Sequence, residues 1–325
     1  MPDVRRAAII GIGAAAPENI LSNADLEKIV DTSDEWIRTR TGVERRHQVA
    51  EDQTTSDMCV EAARIAIEDA GIEVSDIDMV LVGTTSPDLV FPNCATLVQH
   101  RLGIPACPAI GMEAACTSFI YALTTADKFI KTGEAKCALV IGAECITKIV
   151  DWKDRNTCVL FGDGAGAVIV KPSEEPGIIA THLGADGQYK DLLYYPVGVS
   201  KEFHKAGTDE AAIMMSGNEV FKVAVKTLGN VATEVLKKAG VEQSELDWLI
   251  PHQANVRIIQ ATAKRLNLPM EKVILTVQDH GNTSAASVPM ALDVGIRDGR
   301  IKPGQLLLME AFGGGFTWGS VLLRL

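Results

Sequence analysis

The sequence lacks the features that would mark a nucleic-acid-binding protein or a membrane protein. Only 31 residues are Lys or Arg, against 42 Asp or Glu, which gives a formal net charge of −11. An acidic chain is a poor ligand for nucleic acid, and any acidic partner would need a local basic patch. No apolar run approaches the roughly 20 residues that span a membrane. Composition therefore favours a soluble globular protein that binds neither nucleic acid nor membrane.

The N-terminal apolar run is also unlike a signal peptide. Gly11 and Gly13 interrupt it and Pro17 follows it. We therefore predict a buried first strand over residues 7–12. Pro17 would also break the helix that a dinucleotide-binding loop opens, which argues against nucleotide binding here.

The seven cysteines show neither a disulfide framework nor a metal site. Their number is odd, and no two form a C-x-x-C pair. Such a pattern favours free thiols in a reducing cytoplasm and predicts no metal. The cysteines are Cys59, Cys94, Cys107, Cys116, Cys137, Cys145 and Cys158.

Cys116 is the candidate nucleophile among them. It precedes residues 118–132, whose apolar side chains recur at helical spacing and which Gly133 closes. A cysteine at a helix N-terminus meets unpaired N–H groups and the positive end of the helix dipole, which favour the nucleophilic thiolate. The alternative is an ordinary buried core cysteine.

Three polar or flexible positions in the second half of the sequence could converge on Cys116. His252 directly follows a predicted strand at residues 248–250, where open α/β sheets place ligand groups. Asn282 lies in the turn-like string HGNTS, and Gly315 ends the triple glycine 313–315 between two strand-like runs. Each alone has a structural alternative, since turns and tight hairpins use the same residues. The string FGDGAG at 161–166 is predicted to be such a hairpin, without a site.

The two halves of the sequence repeat each other. AGIEVSDID at 70–78 matches AGVEQSELD at 239–247, RLGIP at 101–105 matches RLNLP at 265–269, and Gly133 corresponds to Gly299. The repeats predict two α/β halves, residues 1–174 and 175–325, related by a pseudo-twofold axis. The spacing of the two glycines aligns Cys116 with Asn282, which predicts that both lie on equivalent turns that meet near this axis.

The strings AACTSF around Cys116, PHQAN, HGNTSAAS and EAFGGGFTWGS, with DTSDEWI and FGDGAG, extend over most of the chain. In these motifs the sequence closely resembles β-ketoacyl-acyl carrier protein synthase III, the condensing enzyme that initiates type II fatty-acid synthesis. The resemblance implies a thiolase-like α/β fold, in which two duplicated halves build a five-layered α-β-α-β-α arrangement, and it implies a homodimer.

The resemblance also implies roles for the candidate residues. Cys116 would accept the acyl group of an acyl-CoA, with acetyl-CoA as the expected primer, and the N–H groups of Cys116 and Gly315 would form the oxyanion hole. His252 and Asn282 would bind the thioester carbonyl of malonyl-acyl carrier protein during decarboxylation. This chemistry requires no metal or redox cofactor.

Further residues match binding positions of the same family. Trp36, Arg40 and Arg155 match residues that hold the adenine end of CoA, and Phe91 matches a residue that reaches the partner subunit's acyl pocket. A basic patch that would suit an acidic carrier protein is predicted from Lys222, Arg257, Lys264 and Arg265. The alternative for this patch is a solvated helix face.

One departure from the family pattern concerns the acyl pocket. Thr117 and Ser118 follow the nucleophile, where the family commonly has a small residue and then Gly, so Ser118 adds a side chain beside the reactive turn. The lack of any cysteine after Cys158 argues against a biosynthetic thiolase, and Asn282 argues against chain-elongating synthases, which have a second His. The remaining alternatives are a sibling that joins another acyl or aroyl starter to malonyl thioesters in secondary metabolism, and a catalytically silent scaffold.

Overall fold

The computed structural model describes residues 6–208 and 210–325. Within these ranges the strands are β1 (Arg6–Ala15), β2 (Ile20–Ser22), β3 (Arg45–His47), β4 (Met79–Gly83), β5 (Ala109–Met112), β6 (Ala138–Glu144), β7 (Gly164–Ser173), β8 (Ile178–Ala185), β9 (Leu193–Tyr194), β10 (Met214–Met215), β11 (Trp248–Pro251), β12 (Leu306–Gly313) and β13 (Thr317–Arg324). The helices are α1 (Asn23–Leu26), α2 (Asp34–Thr41), α3 (Thr55–Ala70), α4 (Cys94–Leu102), α5 (Ser118–Thr132), α6 (Arg155–Cys158), α7 (Gly217–Ala239), α8 (Val256–Arg265), α9 (Val277–His280) and α10 (Ser287–Arg297).

Two sheets of the same topology form the centre of the fold. The first has the strand order β1-β7-β6-β4-β5, and the second has the order β8-β13-β12-β11. In the first sheet β6 pairs in parallel with β4, and β4 with β5; in the second, β12 pairs in parallel with the edge strand β11. The pairs from β6 to β1 and from β12 to β8 are antiparallel. The repeated order is what a duplication produces. The division between residues 174 and 175, which would fall between β7 and β8, remains a prediction.

Three layers of helices enclose the two sheets. Helices α5 and α10 lie between the sheets, where Phe119 and Leu292 share one buried cluster with Val140 of the first sheet and Met309 of the second. Helices α3 and α4 cover the outer face of the first sheet, and α7 and α8 cover the outer face of the second. The five-layered α-β-α-β-α arrangement implied by the resemblance is therefore confirmed.

Glycines end the predicted helices as expected. Gly71, Gly133 and Gly240 cap α3, α5 and α7 with φ of 61°, 80° and 69°, a left-handed conformation that glycine adopts at little cost. The first strand extends beyond the predicted residues 7–12 to cover Arg6–Ala15.

The predicted alignment of Cys116 with Asn282 is wrong by three residues. A 3₁₀ turn precedes each central helix, Ala115–Thr117 before α5 and Ser284–Ala286 before α10. Both turns begin with a non-glycine residue at positive φ, Ala115 at 48° and Ser284 at 49°. Cys116 therefore corresponds to Ala285. The glycine spacing misled the alignment because α10 has 11 residues whereas α5 has 15.

The string FGDGAG is not the tight hairpin predicted from its glycines. Its last three residues begin β7, where Gly166 packs against Pro289 of α10 too closely for a side chain. Phe161 instead bridges to Asn282, and the Gly162 N–H donates to the Asn282 carbonyl at 3.1 Å. This segment thus helps to hold a candidate site residue.

Candidate active site

Cys116 lies in the 3₁₀ turn between β5 and α5, and its neighbour Ser118 holds that turn in shape. Ser118 is fully buried, and its Oγ accepts from the Ala114 N–H at 2.8 Å and donates to the Ala115 carbonyl at 2.7 Å. These two bonds stabilise the backbone around Ala115, the residue of the turn with positive φ. Ser118 lines neither of the cavities beside Cys116. The departure from the family pattern therefore acts on the backbone of the turn rather than on the cavity wall.

A cleft of about 560 Å³ brings the three catalytic candidates together. Cys116, His252 and Asn282 all line it, and so do Trp36 and Arg40. His252 follows β11 and Asn282 precedes the turn before α10, so two residues of the second half lie beside a nucleophile from the first. The sequence motifs that predict these residues are far apart along the chain, and the duplicated fold joins them.

The hydrogen bonds of His252 indicate which ring nitrogen carries the proton. Its Nδ1 is 2.6 Å from Ser287 Oγ, which also accepts from the Gln253 N–H at 3.3 Å. When the Ser287 hydroxyl donates to Nδ1, the neutral ring carries its proton on Nε2. Burial lowers the pKa of His252 to about 3. The imidazole is therefore neutral at pH 7, with a single N–H available as a donor.

The amide of Asn282 is oriented in a similar way. Its Oδ1 accepts from the Ser284 N–H at 2.9 Å. The Nδ2 hydrogens are then left for a ligand in the cleft. The backbone is fixed as well, since the Asn282 N–H donates to the Leu160 carbonyl at 2.8 Å. His252 and Asn282 can thus each offer an N–H donor without holding a charge.

The Cys116 thiol is harder to ionise than the helix N-terminus alone predicts. Burial raises its pKa to about 12; hydrogen bonding with Ser284 lowers it, and the charges of Glu144 and Glu113 raise it. The prediction of a favoured thiolate is therefore wrong for the free protein, because desolvation outweighs the turn's favourable groups. A reaction at Cys116 needs an acceptor for the thiol proton.

The triple glycine lies against the turn that carries Cys116. A Cβ on Gly313 would be 2.7 Å from the Cys116 nitrogen and 3.0 Å from the Ala114 oxygen, so no side chain fits there. Gly314 lines the small cavity beside Cys116, whereas Gly315, with φ of 124°, does not line it. The contribution of the Gly315 N–H to an oxyanion hole remains a prediction.

Two arginines flank Trp36 at the mouth of the cleft. The guanidinium carbons of Arg40 and Arg155 lie 4.9 and 4.6 Å from the centre of the indole ring. Arg155 also donates to the Asp31 carbonyl at 2.8 Å. The three residues predicted to hold the adenine end of CoA are thus neighbours, with both guanidinium groups within cation–π distance of the indole ring.

The residues of the predicted carrier-protein patch are all exposed, but they make different contacts with the rest of the protein. Arg257 lines the cleft and lies over the Phe221 ring at 5.5 Å. Lys222 faces a second groove with Lys226, and Arg265 donates to Asn230 Oδ1 at 2.6 Å. The patch therefore spans α7 and α8 rather than one face of α8, and Arg265 is partly engaged within the protein. Lys264 is exposed near the end of α8.

Phe91 lies away from its own active site. It is 83% exposed, beside Leu89 and Val90, which are also exposed. It lines neither the cleft nor the small cavity beside Cys116. An aromatic ring this exposed is suited to contact with another chain.

A small apolar cavity beside Cys116 has a lining that sequence analysis did not predict. Its volume is about 70 Å³. Its side chains come from several separate segments, so no local pattern could identify them. The lining includes Ile146, Ile149, Phe161, Leu193, Tyr194, Tyr195, Ile213 and Ser284.

Three further observations concern disulfides, metal sites and membrane-spanning helices. All seven cysteines are free. Residues 6–208 and 210–325 contain no group of three or more His, Cys, Asp or Glu side chains placed to hold a metal ion. Over the same ranges, helices fall short of the length and apolar character needed to cross a membrane.

Comparison with known proteins connects this architecture to one family. A family model described as 3-oxoacyl-(acyl-carrier-protein) synthase III matches residues 110–187, and its C-terminal counterpart matches residues 236–325. A β-ketoacyl-(acyl-carrier-protein) synthase III of Thioalkalivibrio sulfidiphilus is 59% identical over 318 residues, which cover 98% of this chain and 99% of that protein.

Solved structures agree with these matches. The 3-oxoacyl-(acyl-carrier-protein) synthase III of Aquifex aeolicus superposes with a TM-score of 0.92 at 49% identity, covering 98% of this chain and 100% of that one. The priming β-ketosynthase of a polyketide biosynthetic pathway superposes with a TM-score of 0.95 at 35% identity, covering 100% and 98%. The chain belongs to the β-ketoacyl-acyl carrier protein synthase III family of thiolase-fold condensing acyltransferases.

Proposed function

We propose that this protein condenses an acyl-CoA primer with malonyl-acyl carrier protein to give a 3-oxoacyl-acyl carrier protein, the step that initiates type II fatty-acid synthesis. One observation carries the proposal. Cys116 shares a cleft with His252 and Asn282, two neutral side chains whose remaining N–H donors are oriented by Ser287 and Ser284. A nucleophile with two uncharged donors is what acyl transfer followed by enolate formation requires.

In the first half-reaction, Cys116 attacks the thioester carbonyl of the acyl-CoA. The backbone N–H groups of Cys116 and Gly315 are proposed to stabilise the oxyanion of the tetrahedral intermediate. Trp36, Arg40 and Arg155 would hold the adenine end of CoA at the cleft mouth. CoA then leaves, and the acyl group remains on the Cys116 sulfur.

In the second half-reaction, malonyl-acyl carrier protein enters and loses CO₂. The electrons of the broken C–C bond form an enolate, whose oxygen accepts from His252 Nε2–H and Asn282 Nδ2–H. A neutral His252 suits this role because decarboxylation needs a hydrogen-bond donor that keeps its proton. The enolate carbon attacks the acyl-Cys116 carbonyl and releases the product.

The small cavity beside Cys116 favours a short primer. Its volume of about 70 Å³ is less than half the roughly 150 Å³ of an engineered apolar cavity that binds benzene. A two- or three-carbon acyl group fits such a space, whereas an aromatic ring would require the lining to move. Acetyl-CoA is therefore the proposed primer, and an aroyl starter in secondary metabolism is the less favoured alternative.

The carrier protein and a second copy of the chain are the proposed partners. The exposed cations Lys222, Arg257, Lys264 and Arg265 would bind the acidic carrier. Phe91 would enter the acyl pocket of the partner in a homodimer, which accounts for its exposure in the single chain. A cytoplasmic location and independence from metal or redox cofactors belong to the same proposal, and the free cysteines support the location.

The variant Asn282→Asp tests the second half-reaction separately from the first. It retains an oxygen for the Ser284 N–H but replaces the N–H donors with an acceptor of the same shape. We expect condensation to fall by about 100-fold or more, as when an oxyanion-hole donor is removed, while acyl-Cys116 forms at a similar rate. Release of CO₂ from malonyl-acyl carrier protein and the mass of the product measure this. Unchanged condensation would remove Asn282 from the mechanism.

A further inference from the structure

Glu144 is a buried carboxylate to which the proposed mechanism gives no task. It ends β6, has no exposed surface, and accepts hydrogen bonds from several groups of the loop after β4. Its Oε2 accepts from the Ser86 hydroxyl at 2.6 Å and the Ser86 N–H at 3.1 Å, and its Oε1 accepts from the Thr85 N–H at 3.1 Å. A carboxylate held this firmly has a fixed orientation towards its remaining neighbours.

Ser284 connects this carboxylate to the nucleophile. Its hydroxyl donates to Glu144 Oε1 at 3.1 Å, and Ser284 and Cys116 line the same small cavity. Hydrogen bonding with Ser284 also lowers the pKa of Cys116 against the larger effect of burial. The hydroxyl is held in place by the left-handed backbone of Ser284, with φ of 49°. Ser284 thus lies between the cavity at the sulfur and the carboxylate of Glu144.

The other titratable groups near Cys116 are poorly suited to take its proton. His252 Nδ1 is occupied by Ser287, and burial lowers the pKa of His252 to about 3. Glu113 is exposed, and its Oε1 accepts from the Ala115 N–H at 2.8 Å. Burial raises the pKa of Glu144 to about 7, although its hydrogen bonds oppose this. Glu144 is thus a carboxyl group that can take up a proton near neutral pH.

We propose that Ser284 relays the thiol proton of Cys116 to Glu144 when the acyl group is transferred. The inference rests on the function proposed above and adds a route for the proton. In this relay Ser284 would exchange the proton with the sulfur directly, since both line the same cavity, and Glu144 acts through Ser284.

The relay balances over the two half-reactions. The Cys116 S–H proton passes to Ser284 Oγ as the Ser284 O–H proton passes to Glu144 Oε1, and the sulfur lone pair then attacks the thioester carbon. CoA leaves with the electrons of the broken C–S bond and takes a proton from water. When the enolate displaces the Cys116 sulfur, the proton returns from Glu144 through Ser284 to that sulfur.

The charge of Glu144 lets a substitution distinguish the relay from a purely electrostatic effect, because the two predict opposite changes in the reaction rate of Cys116. Its charge raises the pKa of Cys116 and of Cys145, the residue after it in the chain. The charge of Asp163 also raises the pKa of Cys145. Thr85 donates to both nearby carboxylates, from its N–H to Glu144 and from its hydroxyl to Glu113. If Glu144 acted only through its charge, Glu144→Gln would make the thiol easier to ionise and faster to react. The relay predicts a slower reaction.

The test is alkylation of Cys116 by iodoacetamide, followed from pH 6 to 9 by mass spectrometry of the Cys116 peptide. For the native protein we expect the rate to rise with an inflection near neutral pH, where Glu144 ionises. In Glu144→Gln the inflection should disappear and the rate at pH 7.5 should fall by about 100-fold, the lower end of typical general-base contributions. Ser284→Ala should also lower the rate; it keeps the Glu144 side chain but removes the hydrogen bond that Ser284 donates to it, and it keeps the test informative if one variant fails to fold.

Glu310→Gln is the matched control. Glu310 is also a fully buried strand carboxylate, and burial raises its pKa to about 8, but no hydrogen bond connects it to Ser284. Its substitution should leave the alkylation profile unchanged. Equal or faster alkylation in Glu144→Gln and Ser284→Ala would overturn the relay.

A parallel single-turnover reaction with acetyl-CoA separates the relay from the proposed function. If acetyl-CoA labels Cys116 in the native protein and equally fast in both variants, the relay fails and the function stands. If no acyl-CoA labels the native protein, the proposed function fails, and the alkylation profile still decides whether the relay exists.

Discussion

Ser287 Oγ lies 2.6 Å from His252 Nδ1, so a Ser287 hydroxyl that donates to Nδ1 leaves the imidazole N–H at Nε2. Ser287 is the first residue of α10, and Ser118 is the first residue of α5. The two serines are equivalent in the duplicated fold, yet one holds the turn of the nucleophile and the other holds the donor. The duplication thus provides one active site with two equivalent serines, one that holds the turn of Cys116 and one that contacts His252.

Removal of the Ser287 hydroxyl should impair decarboxylation selectively. In Ser287→Ala, His252 loses the partner that keeps its proton on Nε2, so we expect condensation to slow by about 10-fold, as for other groups that orient a catalytic imidazole. Transfer of the acyl group to Cys116 should be unchanged. Ser287→Thr, which restores the hydroxyl, should recover most of the activity. A general structural role would instead slow both half-reactions together.

Trp36 should contribute to binding of CoA and not to the chemistry. We expect Trp36→Ala to raise the KM for acetyl-CoA by about 10-fold with little change in kcat, because stacking contributes about 1–3 kcal/mol per base. The matched substrate is the N-acetylcysteamine thioester of acetate, which lacks the adenine. Its steady-state parameters should be the same for both proteins. A similar loss with both substrates would place Trp36 in a different role.

A side chain at Gly313 should disturb the nucleophile directly. In Gly313→Ala the new Cβ would meet the Cys116 nitrogen and the Ala114 oxygen, so we expect the rate of Cys116 acylation to fall at least 10-fold. Gly198→Ala is the control, since a Cβ there meets no atom within 4 Å and Gly198 has no positive φ. Single-turnover labelling by acetyl-CoA measures both variants. Normal acylation in Gly313→Ala would mean that the turn adapts without cost.

Buried carboxyl groups should make stability fall as pH rises above 5. Burial raises the pKa of Glu310 to about 8, so the folded state holds a proton that the unfolded state releases above about 4.5, and stability is lost through that window. Glu310→Gln should remove this slope. Relative to the native protein, the variant should gain roughly 3–4 kcal/mol in free energy of unfolding between pH 5 and pH 8. Urea unfolding at the two pH values measures the difference. If the native protein and the variant lose the same stability between pH 5 and pH 8, Glu310 is not held in a buried, protonated state.

His252 and His280 should lower the stability of the protein at acid pH. Burial lowers the pKa of His252 to about 3 and that of His280 to about 4. The unfolded state therefore binds more protons between about pH 6.5 and pH 3, and stability from these groups is lost as pH falls through this window. Titration of His252 should leave the rate of the second half-reaction flat between pH 5 and 8.

The sequence predicts the fold and the members of the site better than their interactions. Cys116, His252 and Asn282 stand in short strings that can be recognised without knowledge of the fold. Ser284 and Ser287 stand in the string HGNTSAAS, but their hydrogen bonds, like those of Glu144, depend on how distant segments pack together, so their roles do not follow from the local pattern. The alignment of Cys116 with Asn282 failed because it depended on helix length. The expected thiolate failed because burial, which the sequence does not give, outweighs the helix terminus.

The central claim is that Cys116 forms a thioester with the primer. The most direct test is the intact mass of the protein after incubation with acetyl-CoA, longer and branched acyl-CoAs and an aroyl-CoA, beside Cys116→Ala. We expect one acetyl group on the native chain, fastest labelling by the shortest primer, and no labelling of the variant. If no thioester labels Cys116, the first half-reaction does not occur, and a catalytically silent scaffold becomes the better account.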